Sequence, residues 1–381
     1  MNKNIQLGEI SPDGVNGRQL GYIIINTLMG SGVYLLPSLL SNSAGHDGWL
    51  LAILGTAVPI IYTILICAFF KRSQMSFKDT AQDMMGKAGW AVRALYAIML
   101  TLFCIIALKT MSELIGTNML PRTPNIIIEA IIMLCVLYAA SKGMKVIGRI
   151  NVVLFVCFIC LALAFILSVD KADFRNVLPI ADYKKWDNPV YAILAVMSFF
   201  IGLEVLYTFY PTVKNKDRGR NYAVIGVLAS GIGFGIINFV CVLVFGEYML
   251  SDMGYSSLLL LRSSTNGLFI RLFLTLLFFN LMLIKPLLNC GFAAGSTIME
   301  LTPLFKKKPW ITLAVWGLIV VTATSFLPST DESGLLYLIL LVFGLLYGLL
   351  LPVMGLIKYR PAKKKLRASA KSGILWAEGK K

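Results

Sequence analysis

The sequence predicts an all-α polytopic membrane protein of ten transmembrane helices, arranged as a five-plus-five inverted repeat with helices 1 and 6 broken. Three observations carry that expectation. Of 381 residues, 57% are hydrophobic and only 14% are charged, against about 45–50% and about 25% in soluble domains. Ten apolar segments approach the length of about 20 residues needed to cross about 30 Å of hydrocarbon. Two of them, each opening one half of the chain, are interrupted by glycine and followed by proline.

Residues 1–17 are polar and read as a cytoplasmic tail with no secretory leader. The spans follow at 18–41, 48–70, 93–116, 124–141 and 146–169 in the first half. Residues 170–188 form an extracytoplasmic loop. The second half supplies 189–211, 221–246, 267–299, 310–327 and 333–357, and residues 358–381 form a basic cytoplasmic tail. The polar stretches Lys71–Ala91 and Tyr248–Asn266 are longer than the other connections and each has room for a short surface helix.

The net charge of +16 is distributed between spans rather than on a nucleic-acid face. With the N-terminus inside, 26 of the 35 lysines and arginines lie in cytoplasmic segments and 7 outside, while Lys109 and Lys285 fall within spans. Cytoplasmic loops carry such an excess, so both termini are expected inside. The tail KYRPAKKKLRASAKSG suits anionic headgroups. All seven cysteines lie in apolar runs, and Cys157 and Cys160 read as buried hydrophobes rather than a redox or metal pair. The single histidine, His46, sits in the loop SNSAGHDG and reads as solvated.

Five spans per half is an odd number, so the second half is inserted upside down. In such proteins, glycine- or proline-interrupted spans at matching positions mark the binding site. Span 1 reads NTLMGSGVYLLPS, with Gly30, Ser31, Gly32 and Pro37; span 6 reads SFFIGLEVLYTFYP, with Gly202 and Pro211. Unwound backbone in a bilayer survives only where it lines a protein cavity. A half-helix starting near Ser31–Val33 points free N–H groups at the cavity, which suits a carboxylate. A break in span 6 offers carbonyls for an ammonium group. Together they suit a free α-amino acid. The competing interpretation of Gly30, Ser31 and Gly32 is a close helix contact through small residues.

These residues bring a resemblance with them. GSGVYLLPS and FFIGLE resemble the amino acid–polyamine–organocation permease superfamily. The ten spans, the short first tail and the VLPI stretch before span 6 are similar to one branch, the endospore germination permeases, which are the B subunits of nutrient germinant receptors. The resemblance implies a ligand at mid-membrane between helices 1, 3, 6 and 8. Gly30, Ser31 and Gly32 would bind its carboxylate. Phe199, Phe200, Ile201 and Gly202 would supply carbonyls and a side-chain wall. Helix 3 would present Thr101, Ile105 and Leu108, although no motif fixes its register. Leu203 stands where the superfamily frequently has an aromatic residue. The resemblance also implies A- and C-type partner subunits and the spore inner membrane.

Charges inside a membrane are functional candidates by default. Glu204 follows the break in span 6 and reads as a cap, a proton holder or an ion-pair partner. Lys285 lies mid-span before Pro286. There its ammonium would stand in for the ion of sodium-coupled relatives, so sodium independence is expected; pairing with Glu204 or helix-end carbonyls is the structural alternative. Lys109 and Glu113 are four apart and suit an ion pair on one helix face, with gating the alternative. Glu129, Glu247 and Glu300 read as interfacial. No nucleophile motif, phosphate loop or metal cluster supports an enzyme, and no cofactor is implied. Two functions remain: a receptor subunit that binds a small nutrient and signals through partners, and a permease, proton-coupled or uncoupled, that carries it.

Overall fold

The computed structural model describes residues 14–30, 32–167, 172–180, 189–254, 256–263, 268–301, 307–327 and 334–359. Ser31, most of the 170–188 loop and the basic tail beyond Tyr359 lie outside them. Among the described residues every regular element is a helix, without a strand.

The first half holds α1 (Gly17–Leu28), α2 (Gly32–Ala44), α3 (Gly48–Gly55), α4 (Ala57–Ser73), α5 (Phe77–Met85), α6 (Gly89–Asn118), α7 (Asn125–Ser141) and α8 (Met144–Leu167). The second holds α9 (Pro189–Ser198), α10 (Leu206–Phe209), α11 (Lys216–Ser251), α12 (Ser256–Ser263), α13 (Leu268–Leu301), α14 (Pro309–Phe326), α15 (Gly334–Leu345) and α16 (Leu351–Lys358). A π-helical turn at Leu346–Leu350 joins α15 to α16. Six of the helical stretches are long and apolar enough to cross a membrane, and α7 is a shorter apolar helix. The short helices α5 and α12 fall in the polar connections.

Local chemistry sets several boundaries. Ser76 caps α5 by accepting from the Asp79 N–H at 3.2 Å, and Asn215 caps α11 by accepting from the Arg218 N–H at 3.0 Å. Such caps satisfy donors that a helix start leaves orphaned. Near the other end of α11, Gly246 has φ of 71°, which bends the chain out of helical geometry.

The core contains polar groups as well as apolar ones. Asn26 of α1, Asn151 of α8 and Asn289 of α13 are each fully buried. Asn151 donates to Asn289 Oδ1 at 2.7 Å. Asn289 donates to Thr27 Oγ1 at 2.9 Å, and Asn26 donates to Asn151 Oδ1 at 3.0 Å. Buried amides are retained in an apolar interior only when bonded, so this triad fixes the mutual register of three helices.

Three sequence expectations are corrected here. His46 is buried, not solvated: Nδ1 lies 2.8 Å from Glu247 Oε2 and Nε2 lies 2.6 Å from the Pro179 carbonyl. Glu247 is thereby engaged rather than simply interfacial. Glu129 is 1% exposed and accepts from Ser112 Oγ at 2.9 Å and Ser325 Oγ at 3.1 Å. Its position near a helix end said nothing of the neighbours that cover it.

Candidate functional site

Helix α1 stops at Leu28 and α2 begins at Gly32. The Gly30 N–H bonds to the Leu28 carbonyl at 2.9 Å, and the Val33 N–H bonds to the Gly30 carbonyl at 3.2 Å. These tight turns replace the helical ladder. On the other side α9 ends at Ser198, and residues 199–202 run through successive turns. Phe199, Phe200 and Ile201 each donate three residues back. Gly202 has φ of 107°, a region that only glycine enters without strain.

The two interruptions face one another. A Cβ on Gly32 would stand 2.8 Å from Phe199 Cδ1, and one on Gly30 would stand 2.7 Å from Pro286 Cγ. The glycines therefore permit an approach that any side chain would block. Between the interruptions lies a cavity of about 30 Å³, lined by Gly30, Gly32, Thr27, Phe103, Ile106, Ala107, Phe199 and Ile201 among others. Its wall is apolar apart from the Thr27 and Ser198 hydroxyls and exposed backbone.

Of the residues expected at the site, Gly30, Gly32, Phe199 and Ile201 line this cavity. Ser31 lies outside the described residues. Gly202 packs on Thr27, whose Cγ2 would meet an added Cβ at 3.0 Å. Phe200 and Glu204 line a second, smaller cavity of about 20 Å³ on the far side of the turn, with Tyr62 and Gly344.

On the third span, this cavity takes a different set of residues from the expected one. Helix α6 presents Phe103, Ile106 and Ala107 to the cavity. Thr101, Ile105 and Leu108 are not among the lining residues; Thr101 instead accepts from Trp316 Nε1 of α14 at 3.1 Å. Two positions along an α-helix rotate a side chain by about 200°, which separates the faces of 101 and 103.

The charges are distributed differently from the simplest pairing. Glu204 Oε2 accepts from the Gly202 N–H at 2.8 Å, so the carboxylate braces the turn that precedes it. Lys285 is 0% exposed, and its Nζ has no hydrogen-bond partner among the described residues. It stands 4.3 Å from the centroid of the Phe158 ring of α8, a cation–π contact. The alternative in which Lys285 pairs with Glu204 is thus not met. Asn26 Oδ1 of α1 is likewise buried without a hydrogen-bond partner among the described residues. Lys109 Nζ lies 3.5 Å from Glu113 Oε1, the ion pair that their spacing suggests.

The asparagine triad is the part of the site that sequence reasoning missed. Its signal was present: single amides inside the apolar runs IIINTL, GRINVV and LLNCG. Thr27 joins this triad to the cavity wall, accepting from Asn289 and lining the space.

Comparison with known proteins adds to this geometry. A family model described as spore germination protein matches residues 15–333. Spore germination protein KB of Bacillus subtilis (strain 168) is 26% identical over 372 residues, covering 93% of this chain and 98% of that protein. GerQB of Bacillus cereus is 23% identical over 243 residues, covering 63% of this chain and 67% of its own length. Among solved structures, a substrate-bound, outward-open Na+-coupled sialic acid symporter superposes with a TM-score of 0.63 at 15% identity, covering 88% of this chain and 77% of that one. MhsT in complex with L-phenylalanine gives 0.60 at 16%, covering 89% and 87%. These likenesses show a transporter fold.

Proposed function

This chain belongs to the spore germination protein family, and on that premise we propose that it is the membrane subunit of a germinant receptor. Family and fold together point to a receptor or transporter in a membrane rather than to an enzyme. In this proposal α1 and α2 are two halves of one broken span, and α9 with the segment after it forms the other. The ten spans form two inverted sets of five, with both termini in the cytoplasm and the molecule in the spore inner membrane. A small amino acid binds between the breaks. Its carboxylate meets the N–H groups that start α2, with Ser31 among them, and its ammonium meets carbonyls of residues 199–202. Binding shifts a conformational equilibrium that A- and C-type subunits report, which requires the ligand to prefer one state.

The observation that carries this reading is the cavity shared by two helix interruptions, each closed on a glycine. The L-phenylalanine held by one solved protein of this fold is consistent with it. Lys285 places its amine inside the bundle against the Phe158 ring of α8, where on this reading it stands in for an ion, so we expect ligand response without sodium. The transporter fold favours a second reading, in which the same site carries its ligand across the membrane, with proton coupling or without.

Binding of a panel of L-amino acids, including alanine and valine, to the purified chain tests the site. Gly30→Leu fills the cavity and should abolish binding. Retained binding in that variant removes the site from consideration. Uptake of the bound radiolabelled amino acid by proteoliposomes containing this chain alone would establish the permease instead.

A further inference from the structure

A second feature lies away from the helix interruptions. A groove of about 800 Å³ opens between the start of α1 and the start of α11. Arg18 of α1, Lys214 before α11 and Arg218 of α11 line it, with Asn221, Tyr222 and Ile225. No acidic side chain is among its lining residues within the described part of the chain. The nearby Asp217 is already taken by Lys71, at 2.6 Å. Arg18 Nε donates to Tyr222 Oη at 3.2 Å, which holds that guanidinium across the groove. No carboxylate pairs with Arg18, Lys214 or Arg218 among the described residues.

A second observation gives the groove a direction. Arg218, Asn221, Tyr222 and Ile225 lie at i, i+3, i+4 and i+7 and share one face of α11. The same face continues as Leu228, Ile232 and Ile236, and these three with Ile225 are 42–55% exposed. From Ile225 to Ile236 the helix rises about 16 Å, close to the roughly 15 Å depth of one leaflet's hydrocarbon. A cationic groove thus leads into an apolar stripe one leaflet long.

We propose that this groove is a binding site for an anionic phospholipid, its phosphate held by Arg18, Arg218 and Lys214 and an acyl chain lying along Ile225, Leu228, Ile232 and Ile236. Planar guanidinium groups match phosphate oxygens in two-point contacts. A free phosphate or an acidic peptide would use the basic groove but leave the stripe without a role. In the orientation proposed above, the site faces the cytoplasmic leaflet. The lipid bridges α1 to α11. It therefore seats the helix whose far end, Leu28, lines the central cavity, and ties that helix to the composition of the membrane. The binding itself does not depend on what the central cavity holds.

Native mass spectrometry of the full chain in detergent, titrated with dioleoyl phosphatidylglycerol, tests the proposal. Each basic side chain near anionic lipid contributes about fivefold in affinity, so Arg18→Gln with Arg218→Gln should weaken binding about 30-fold. Both side chains are exposed; should the pair not keep the native helical circular dichroism, Lys214→Gln alone should weaken binding about fivefold. Removing the same charge from the tail, with Lys363→Gln and Lys364→Gln, should leave the tight adduct in place. Ile225→Gln should weaken phosphatidylglycerol, and soluble glycerol phosphate should not compete. Equal loss from the tail variant, equal retention of phosphatidylcholine, competition by glycerol phosphate, or indifference to Ile225→Gln would each overturn it.

Discussion

Replacing Lys285 with methionine should make the protein more stable and less responsive. Most substitutions at a fully buried position destabilise. Here the ammonium is 0% exposed, has no hydrogen-bond partner among the described residues, and rests only on the Phe158 ring at 4.3 Å. Burying an unpaired ion costs several kcal/mol even after relaxation. A desolvated cation–π contact returns about 2 kcal/mol. Methionine keeps most of the chain length and the aromatic contact through sulfur. The difference favours the variant by about 3 kcal/mol. At about 1–2 °C per kcal/mol for a chain of this length, Tm rises by about 3–6 °C. The assay is thermal unfolding of the detergent-purified chain by tryptophan fluorescence, with and without the amino-acid panel. The variant should melt higher and lose the ligand-induced shift. A lower Tm would mean that Lys285 has a partner that stabilises it. A preserved ligand shift would mean that the charge has no part in the response.

Three further outcomes follow from the same contacts. Gly202→Ala forces an L side chain to φ of 107° and sets a methyl 3.0 Å from Thr27 Cγ2; chemical denaturation should show a loss of about 1–3 kcal/mol, and a loss under 0.5 kcal/mol would count against the strained turn. Asn289→Leu removes the donor to Thr27 and the acceptor for Asn151. It should cost about 2 kcal/mol or more and weaken ligand binding together with stability, whereas unchanged stability would show the triad to be replaceable. His46→Ala removes the contacts to Glu247 and Pro179, and hydrogen exchange should quicken at the Asp173 and Asn176 amides, which bond to Leu243 and Asp173; unchanged exchange would show that the 172–180 segment is held without the ring.

The site was legible where local chemistry is decisive. Gly30, Gly32 and Gly202 announce themselves because an apolar run gains nothing from glycine unless the backbone must turn or touch. Lys109 and Glu113 are equally plain, since a spacing of four puts both on one face. The register of α6 was not legible: apolar residues surround that helix on every side, so Thr101, Ile105 and Leu108 looked as suitable as Phe103, Ile106 and Ala107. Glu129 and His46 were misplaced because their burial depends on residues far along the chain, Ser325 in one case and Glu247 in the other. The asparagine triad was readable in principle, one amide per apolar run. No spacing within a single helix, however, shows that the three meet.

The size of the central cavity has a consequence for how a ligand acts. About 30 Å³ holds one or two water molecules, while small-molecule sites run from about 300 Å³. On the proposed reading, an amino acid must therefore separate what is packed: Gly32 from Phe199 and Gly30 from Pro286, where an added Cβ would stand only 2.8 and 2.7 Å away. Moving an equilibrium from 1:99 to 99:1 takes about 5.5 kcal/mol of differential affinity. Part of that separation can be supplied by the chain. Gly32→Ala places a methyl against the Phe199 ring, and overpacking of this kind costs about 1–3 kcal/mol, all of it charged to the closed arrangement. The opening equilibrium then shifts by about 5- to 150-fold. The variant should consequently bind its amino acid more tightly than the parent, up to that factor, while melting at a lower temperature. A variant that melts lower and also binds more weakly would show that the methyl crowds the carboxylate at the start of α2, so that the missing side chain serves the bound state as well as the closed one.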